Sequence, residues 1–298
     1  MKKVYKSKQS ETAIMELYDK QINALNLDYE DLYVDTRFGK AHVVKYGNPN
    51  EEPLLLFHGG NNTTPYSLRY FPSLHKHLCL YAVDTVGHPG KSSQTVVSHK
   101  SMEYGEWASD VIASLGFHKI NCLGGSFGGG ILTKLMCVSP EKVEKAVLVV
   151  PAGIANVSTL NLIVSMGIPM MLYIVTKKDT WLKKAVLPMA VDEKNIDEAT
   201  HEMVKNSFEH VAVKAGMPSN ARADDLQCFT APTLLIVAEN DCMFPSKRVI
   251  AQAKKMISNL RVHTLKDQGH MFVLSDEDID MIVQFIKEAP VYLLSDRL

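Results

Sequence analysis

Apolar residues recur along the chain with the period of amphipathic helices in some segments and of buried strands in others. Between residues 11 and 26 one helical stripe of apolar side chains predicts a helix docked on a core. Two β-rich runs then flank Phe38-Gly39-Lys40, which predicts a hairpin because glycine can adopt the positive φ of a tight turn. The uninterrupted run LLLF after Pro53 predicts a strand buried on both faces. The apolar stripe of the predicted helix between residues 11 and 26 consists of Ile14, Leu17, Tyr18, Ile22 and Leu25.

Strand and helix patterns alternate through most of the remaining chain. This alternation predicts a mostly parallel sheet with helices on both faces. With the hairpin and LLLF, the sheet is predicted to have eight strands. The later strands are predicted at 78–84, 119–125, 145–150, 233–238 and 261–266. Helices are predicted at 101–115, from the end of the 119–125 strand through about 138, from about 246, and from 276 into the 280s.

Residues from about 152 to 226 interrupt this alternation and predict several helices without a clear strand. We therefore predict a core formed by residues 1–151 and 227–298, with a helical cap inserted at 152–226. Within it, Leu160–Val175 is strongly apolar. It is shorter than the roughly 20 residues that a membrane-spanning helix needs, and polar residues and a proline interrupt it. We expect a buried or pocket-lining helix pair there and no membrane span.

Composition and charge exclude several classes of protein. The hydrophobic fraction of 46% and charged fraction of 22% are typical of globular proteins, and a net charge of -1 offers no basic excess for nucleic acid. Five scattered cysteines without a C-x-x-C pair argue against a disulfide framework or a zinc site. The N-terminal segment lacks the apolar run of a secretory signal. We expect a cytoplasmic protein; its oligomeric state stays open, with a homodimer as one option.

The segment Gly124-Gly125-Ser126-Phe127-Gly128 fits G-x-S-x-G and falls where a predicted strand turns into a helix. In that context the motif predicts a strained turn that exposes a nucleophilic serine, with small neighbours that allow close backbone approach. A glycine-rich nucleotide-binding turn is the alternative. It is disfavoured because Ser126 stands where G-x-G-x-x-G requires its second glycine, counted from Gly124.

A serine needs a base to accept its proton, and the base needs an acid to orient it. Among eleven histidines, His270 lies in a short loop after the last predicted strand, which makes it the predicted base. The loop after the preceding strand carries Asp241, the predicted acid, and Glu239, its rival. Whichever carboxylate reaches His270 Nδ1 would fill that role.

Acyl transfer also needs donors for an oxyanion. The sequence His58-Gly59-Gly60 predicts such a loop, with the backbone amides of Gly60 and Phe127 as the donors and His58 as a structural residue. Asn61 on the same loop is a candidate substrate contact. Methionines of the cap either line a flexible apolar pocket or fill the cap's own core. The substrate-binding candidates among methionines are Met166, Met170 and Met271, and Met171 and Met189 are further cap residues of this kind.

With these motifs placed, the chain resembles the α/β-hydrolase superfamily, and within it the capped bacterial carboxylesterases. The resemblance rests on the YVDTRFG strand pair, the HGG loop, the D-x-x-G segment at Asp84 and the GGSFGG turn. It implies an α/β-hydrolase fold and the hydrolysis of small carboxylic esters by Ser126, Asp241 and His270 without cofactor or metal. The same residues could serve a perhydrolase, a C-C hydrolase or an acyltransferase, or the chain could be a weakly catalytic ligand-binding signalling protein.

Overall fold

The computed structural model describes residues 3–156, 166–212 and 216–289. Its centre is an eight-stranded sheet in the order β1-β2-β4-β3-β5-β6-β7-β8. The strand β2 pairs antiparallel with both β1 and β4, and the other neighbours are parallel. The strands are β1 (Tyr29–Thr36), β2 (Gly39–Gly47), β3 (Pro53–Phe57), β4 (Cys79–Val83), β5 (Ile120–Gly125), β6 (Val143–Val149), β7 (Thr233–Ala238) and β8 (Leu260–Leu265).

The helices lie on both faces of this sheet and between β6 and β7 along the chain. Three helices begin after a serine or threonine that caps them: the side chains of Ser7, Thr63 and Ser275 each accept a hydrogen bond from an amide of the first turn. The helices are α1 (Lys8–Ala24), α2 (Thr64–Leu68), α3 (Glu103–Ser114), α4 (Phe127–Val138), α5 (Ile168–Thr176), α6 (Asp179–Ala190), α7 (Glu198–His210), α8 (Ser246–Met256) and α9 (Asp276–Lys287).

The strand β3 shows how the sheet separates two apolar layers. Leu55 and Phe57 point into the layer that contains residues of α3, α4 and α8, whereas Leu54 and Leu56 point into the layer beneath α1 and α9. Because consecutive strand residues face opposite sides, a continuous apolar run is what burial on both faces requires. The predicted α/β fold and its mostly parallel eight-stranded sheet are thereby confirmed.

The helices α5, α6 and α7 lie in the insertion between β6 and β7. The division of the chain at residues 151/152 and 226/227 stays a prediction. Residues 160–165 of the apolar stretch fall outside the described residues. Its described part includes α5, whose inner face lines a cavity, in agreement with the pocket-lining alternative, and whose outer face is exposed to solvent. Among the described helices, none is long and apolar enough to cross a membrane.

A buried ion pair joins the antiparallel side of the sheet to β4. His42 of β2 is fully buried, with Nδ1 2.8 Å from Asp84 Oδ2 and Nε2 2.6 Å from Asp31 Oδ1. Burial alone would lower the pKa of His42, but the hydrogen bonds and charges of Asp84 and then Asp31 outweigh it, so the pKa is raised. Asp84 also accepts a hydrogen bond from Thr64 at the start of α2. The pair therefore ties the sheet to the start of α2.

Replacing His42 by leucine should lower the free energy of unfolding by about 3–5 kcal/mol near pH 6, because it leaves the buried Asp84 carboxylate without its partner. A raised histidine pKa stabilises the fold fully below the unfolded value of 6.5 and ceases to do so as pH rises through the folded value. The difference from the unsubstituted chain should thus shrink toward pH 9. Urea unfolding across this pH range measures it.

His263 provides the matched control for this prediction. It forms the same kind of pair with Asp278 at 2.8 Å, but its side chain is 35% exposed. His263→Leu should therefore cost no more than about 1 kcal/mol. Equal losses for the two variants, or a His42→Leu loss that does not change with pH, would contradict the role assigned to the buried pair.

Candidate active site

Ser126 stands at the turn between β5 and α4 in a backbone conformation that non-glycine residues rarely adopt. Its φ is 51° and its ψ is -115°, and its amide donates to Val149 O at 2.9 Å. The turn is tight: a Cβ on Gly124 would lie 2.4 Å from Gly128 O, and one on Gly128 would lie 2.1 Å from Phe57 O. These clashes explain both glycines of the motif, and a strained backbone of this kind is typical of functional sites.

The structure brings Ser126, His270 and Asp241 into one line of hydrogen bonds. Ser126 Oγ lies 2.9 Å from His270 Nε2, and His270 Nδ1 lies 3.0 Å from Asp241 Oδ2. The three residues come from the end of β5, the loop after β8 and the loop after β7. Parallel strands place their carboxyl ends at one edge of the sheet, which is why residues far apart in sequence meet there.

Backbone amides fix the direction of the Asp241 carboxylate. Its Oδ1 accepts hydrogen bonds from the amides of Met243 at 2.7 Å and Phe244 at 2.9 Å, which leaves Oδ2 for His270. Glu239, the rival acid, is exposed and instead accepts a hydrogen bond from the amide of Asp267 at 3.1 Å. The structure thus separates the two acids that the sequence leaves open, because Asp241 hydrogen-bonds to His270 and Glu239 bonds to Asp267 instead.

The loop that carries His270 is supported by the helical insertion. The amide of Met271 donates to the carbonyl of Met189, in the last turn of α6, at 2.9 Å. Gly269 lies so close that a Cβ there would be 2.4 Å from the same carbonyl. On the other side, the ring of Phe244 packs edge-on against the His270 imidazole at 5.2 Å. These contacts hold the imidazole beside Ser126.

Gly60 and Phe127, the two predicted oxyanion donors, lie side by side next to Ser126. A Cβ on Gly60 would be 3.2 Å from Phe127 Cβ, and Phe127 is the first residue of α4. Among the hydrogen bonds of residues 3–156, 166–212 and 216–289, neither backbone amide serves as a donor. Both amides are therefore available, and Phe127 adds the favourable electrostatics of a helix N-terminus.

His88 supports this loop, a role that sequence reasoning missed. The amide of Asn61 donates to His88 Nδ1 at 3.4 Å, and the His88 ring packs on that of Phe127 with centroids 4.5 Å apart. Asn61 has a φ of 55°, a left-handed conformation that asparagine tolerates better than most residues. The G-H-P-G segment around His88 follows β4, and its position at the same sheet edge was the available signal.

His58 has the structural role that the sequence predicted. Its Nδ1 lies 2.7 Å from Gly59 O, and its Nε2 accepts a hydrogen bond from the amide of Thr85 at 2.9 Å. Burial lowers the pKa of His58, so the ring stays neutral, with one nitrogen donating and the other accepting. It therefore connects the glycine loop to the end of β4.

A cavity of about 260 Å³ opens beside Ser126 and His270. The four predicted substrate contacts, Asn61, Met166, Met170 and Met271, all line it. Met171 does not, since it is 67% exposed on the outer face of α5. Sequence reasoning missed a second group of lining residues, which are mostly apolar or aromatic. They include Tyr66, Tyr70, Phe208, Met217 and Met243.

Two of the lining residues are tyrosines, whose hydroxyls are polar groups in a mostly apolar wall. Tyr66 Oη lies 3.2 Å from Tyr70 Oη and donates to Thr200 Oγ1 at 3.0 Å. Burial, the largest influence, raises the pKa of both phenols, so they remain neutral donors and acceptors. Tyr66 lies in α2 and Tyr70 just beyond its end, and their four-residue spacing is the signal that could have indicated a shared face. The site thus combines an activated hydroxyl, two free amides and a largely apolar cavity.

Comparisons with known proteins agree with this geometry. A sequence profile described as the alpha/beta hydrolase fold matches residues 52–197. Carboxylesterase YbfK of Bacillus subtilis (strain 168) is 24% identical over 274 residues, covering 88% of each chain. The uncharacterized carboxylesterase nap of the same strain is 23% identical over 267 residues, covering 85% of each.

The crystal structure of naproxen esterase from Bacillus subtilis superposes with a TM-score of 0.80 at 19% identity. The superposition covers 94% of this chain and 99% of the esterase. At this identity, the likeness to the solved structure establishes the fold, and the profile establishes the same fold independently. The chain therefore has the α/β-hydrolase fold, and it resembles bacterial carboxylesterases over 88% of its length.

Proposed function

We propose that the chain is a serine hydrolase that cleaves small carboxylic esters. The observation that carries this proposal is the continuous line of hydrogen bonds from Ser126 Oγ through His270 to Asp241. A neutral imidazole that is fixed by a carboxylate at Nδ1 can accept the serine proton at Nε2. The likeness to two carboxylesterases supports an ester as the substrate over the peroxyacid, C-C bond and acyl-transfer alternatives.

In the proposed mechanism, Ser126 Oγ attacks the ester carbonyl while His270 takes its proton. The amides of Gly60 and Phe127 donate to the oxygen that becomes negative. Collapse of this intermediate breaks the bond to the alcohol, which leaves with the proton from His270 and yields an acyl-serine. Water, deprotonated by His270, then attacks the acyl carbon, and the acid is released as Ser126 regains its proton. His270 transfers the proton in both steps of this cycle.

The cavity supports an ester with a bulky apolar part. Its walls are mostly methionine and aromatic side chains, and methionine adapts its shape to different apolar groups at little cost. Asn61 and the two tyrosine hydroxyls are the polar contacts that we propose for substrate orientation. Small polar esters would leave most of this surface without a partner. We therefore expect kcat/KM to rise with acyl length until the cavity is filled.

Treatment with a fluorophosphonate tests the proposed reaction. The probe should add one phosphonyl group per chain, and peptide mapping should place it on Ser126, because only an activated serine displaces fluoride readily. A p-nitrophenyl ester series should show a burst followed by steady turnover, with kcat/KM increasing for longer acyl groups. Labelling elsewhere, or stoichiometric binding without turnover, would contradict the proposal.

We also propose a cytoplasmic location. All five cysteines are free, and Cys79 and Cys122 are buried without a partner thiol. Reduced cysteines of this kind are usual where thiols are kept reduced. The homodimer stays a prediction, which sedimentation would test.

A further inference from the structure

The helix α5 exposes a row of large apolar side chains. Ile168 is 52% exposed, Met171 67%, Ile174 52% and Val175 79%. Their spacing of three and four residues places them on one helical face. Isolated exposed apolar residues are ordinary on protein surfaces, but a contiguous group is typical of a binding surface. We call these four residues the α5 face.

The opposite side of α5 belongs to the interior. Met170 lines the cavity beside Ser126, and Tyr173 is buried, with its hydroxyl donating to Glu209 Oε1 at 2.8 Å. The width of one helix therefore separates the cavity from the exposed row. The helix packs against α6, whose last turn contacts the His270 loop. The α5 face is thus the outer surface of an element that forms the wall of the candidate active site.

Lysines outnumber acids beside the α5 face, where Lys177 is also paired with Glu209 at 4.0 Å. Between residues 166 and 191 the chain has four lysines, Lys177, Lys178, Lys183 and Lys184, and a single acid, Asp179. That acid already lies 3.7 Å from Lys205, so it does little to neutralise the lysines. Trp181 lies between the two lysine pairs, with Lys184 Nζ 4.7 Å from its ring centre. This local excess contrasts with the chain's net charge of -1.

We propose that α5 and the start of α6 form a docking surface for an anionic phospholipid membrane. Apolar side chains of a peripheral helix enter the boundary between headgroups and acyl chains, while lysines pair with the anionic headgroups and tryptophan favours the same depth. Each lysine near such a surface strengthens binding by roughly fivefold. The surface has all three components within two adjacent helices.

Charge also argues against a second copy of this chain as the occupant. A twofold contact brings the same patch of both copies together, so the lysine cluster of one copy would face that of the other. Anionic lipid removes this repulsion and replaces it with attraction. The inference goes beyond the proposed function, because docking needs no ester cleavage. Under the proposed function, docking would place the cavity next to a source of apolar esters.

Vesicle binding tests the proposal directly. The chain should sediment with vesicles of phosphatidylcholine mixed with phosphatidylglycerol, and much less with phosphatidylcholine alone. Its fluorescence should shift to the blue on binding, since Trp181 is partly exposed and Trp107, the second tryptophan, is already fully buried. Added salt should weaken the binding, because it screens the lysines.

Two variants separate the components of this surface. Val175→Glu with Met171→Glu should reduce vesicle binding at least tenfold, and Lys183→Gln with Lys184→Gln should reduce it by roughly 25-fold on anionic vesicles only. The control is Tyr29→Glu with Tyr33→Glu, which changes exposed apolar residues on β1 and should leave binding unaltered. Val175→Glu alone, at the most exposed of the four positions, serves if the double change disturbs folding, which circular dichroism reports.

Three results would overturn the proposal. The first is an unsubstituted chain that does not bind anionic vesicles, and the second is binding that survives the glutamate variants. The third is a lipid-free dimer that the glutamate variants convert to monomers, which would make the α5 face a contact between copies. Because these readouts follow lipid and mass, their failure is distinguishable from a failure to label Ser126 with a fluorophosphonate.

Discussion

Replacing Ser126 by alanine is expected to lower kcat for a p-nitrophenyl ester by about 10⁶-fold while the fold is retained, as for other triad serines. The change removes the only atom that the proposed mechanism binds to the acyl group. It should leave packing intact, because alanine keeps the Cβ and the positive φ at this turn is already accepted by serine. Steady-state kinetics and thermal unfolding of the same preparation measure both expectations.

Ser67 supplies the matched control for the serine variant. It is buried and lines the same cavity, but it lies on α2 and has no contact with His270 among the described residues. Ser67→Ala should keep kcat within a few-fold of the unsubstituted chain and should still be labelled by a fluorophosphonate. Hydrolysis that persists in Ser126→Ala would assign the chemistry to another residue.

Replacing Asp241 by asparagine is expected to lower kcat by about 10⁴-fold, the size of effect seen when a triad acid loses its charge. An asparagine amide at this position can donate to His270 Nδ1, which would favour the imidazole tautomer with its proton on Nε2. That tautomer cannot accept the proton of Ser126. The amides of Met243 and Phe244 still have an oxygen to bind, so the loop should remain in place. The pre-steady-state burst should slow in proportion to kcat.

Glu239→Gln is the control, because Glu239 lies in the same loop and contacts the His270 loop only through Asp267. Its kcat should stay within a few-fold of the unsubstituted value. If Glu239→Gln lost activity as severely as Asp241→Asn, the acid role would belong to both residues or to Glu239, contrary to the observed hydrogen bond.

The positions of Ser126 and His270 could be predicted because they depend on chain order and on sheet topology. Parallel strands end at one edge, so a serine after β5 and a histidine after β8 must approach each other there. The choice between Asp241 and Glu239 could not be predicted. It depends on how a four-residue turn aims its carboxylates, and in the structure that is decided by two amides that bind Asp241 Oδ1.

The apolar stretch that ends in α5 shows a different limit of sequence reasoning. Hydrophobic periodicity identifies which residues share a face, but it contains no information about what covers that face. Met170 and Met171 are adjacent and chemically identical, and yet one lines the cavity and the other is 67% exposed. Tyr66 and Tyr70 were missed for a related reason, since the depth of a cavity depends on how α2 and α7 pack together.

Through the hydrogen bond from Met271 to Met189, the insertion helps to position the loop of the proposed base, His270, in addition to lining the cavity. A shortened chain that kept the whole sheet but lacked α6 would free the loop of His270 on one side, and its imidazole would sample positions away from Ser126. Insertions and deletions in the last turn of α6 should therefore be tolerated less well than those at other positions between β6 and β7. Swapping this segment between relatives would transplant the alignment of the base together with the shape of the binding cavity.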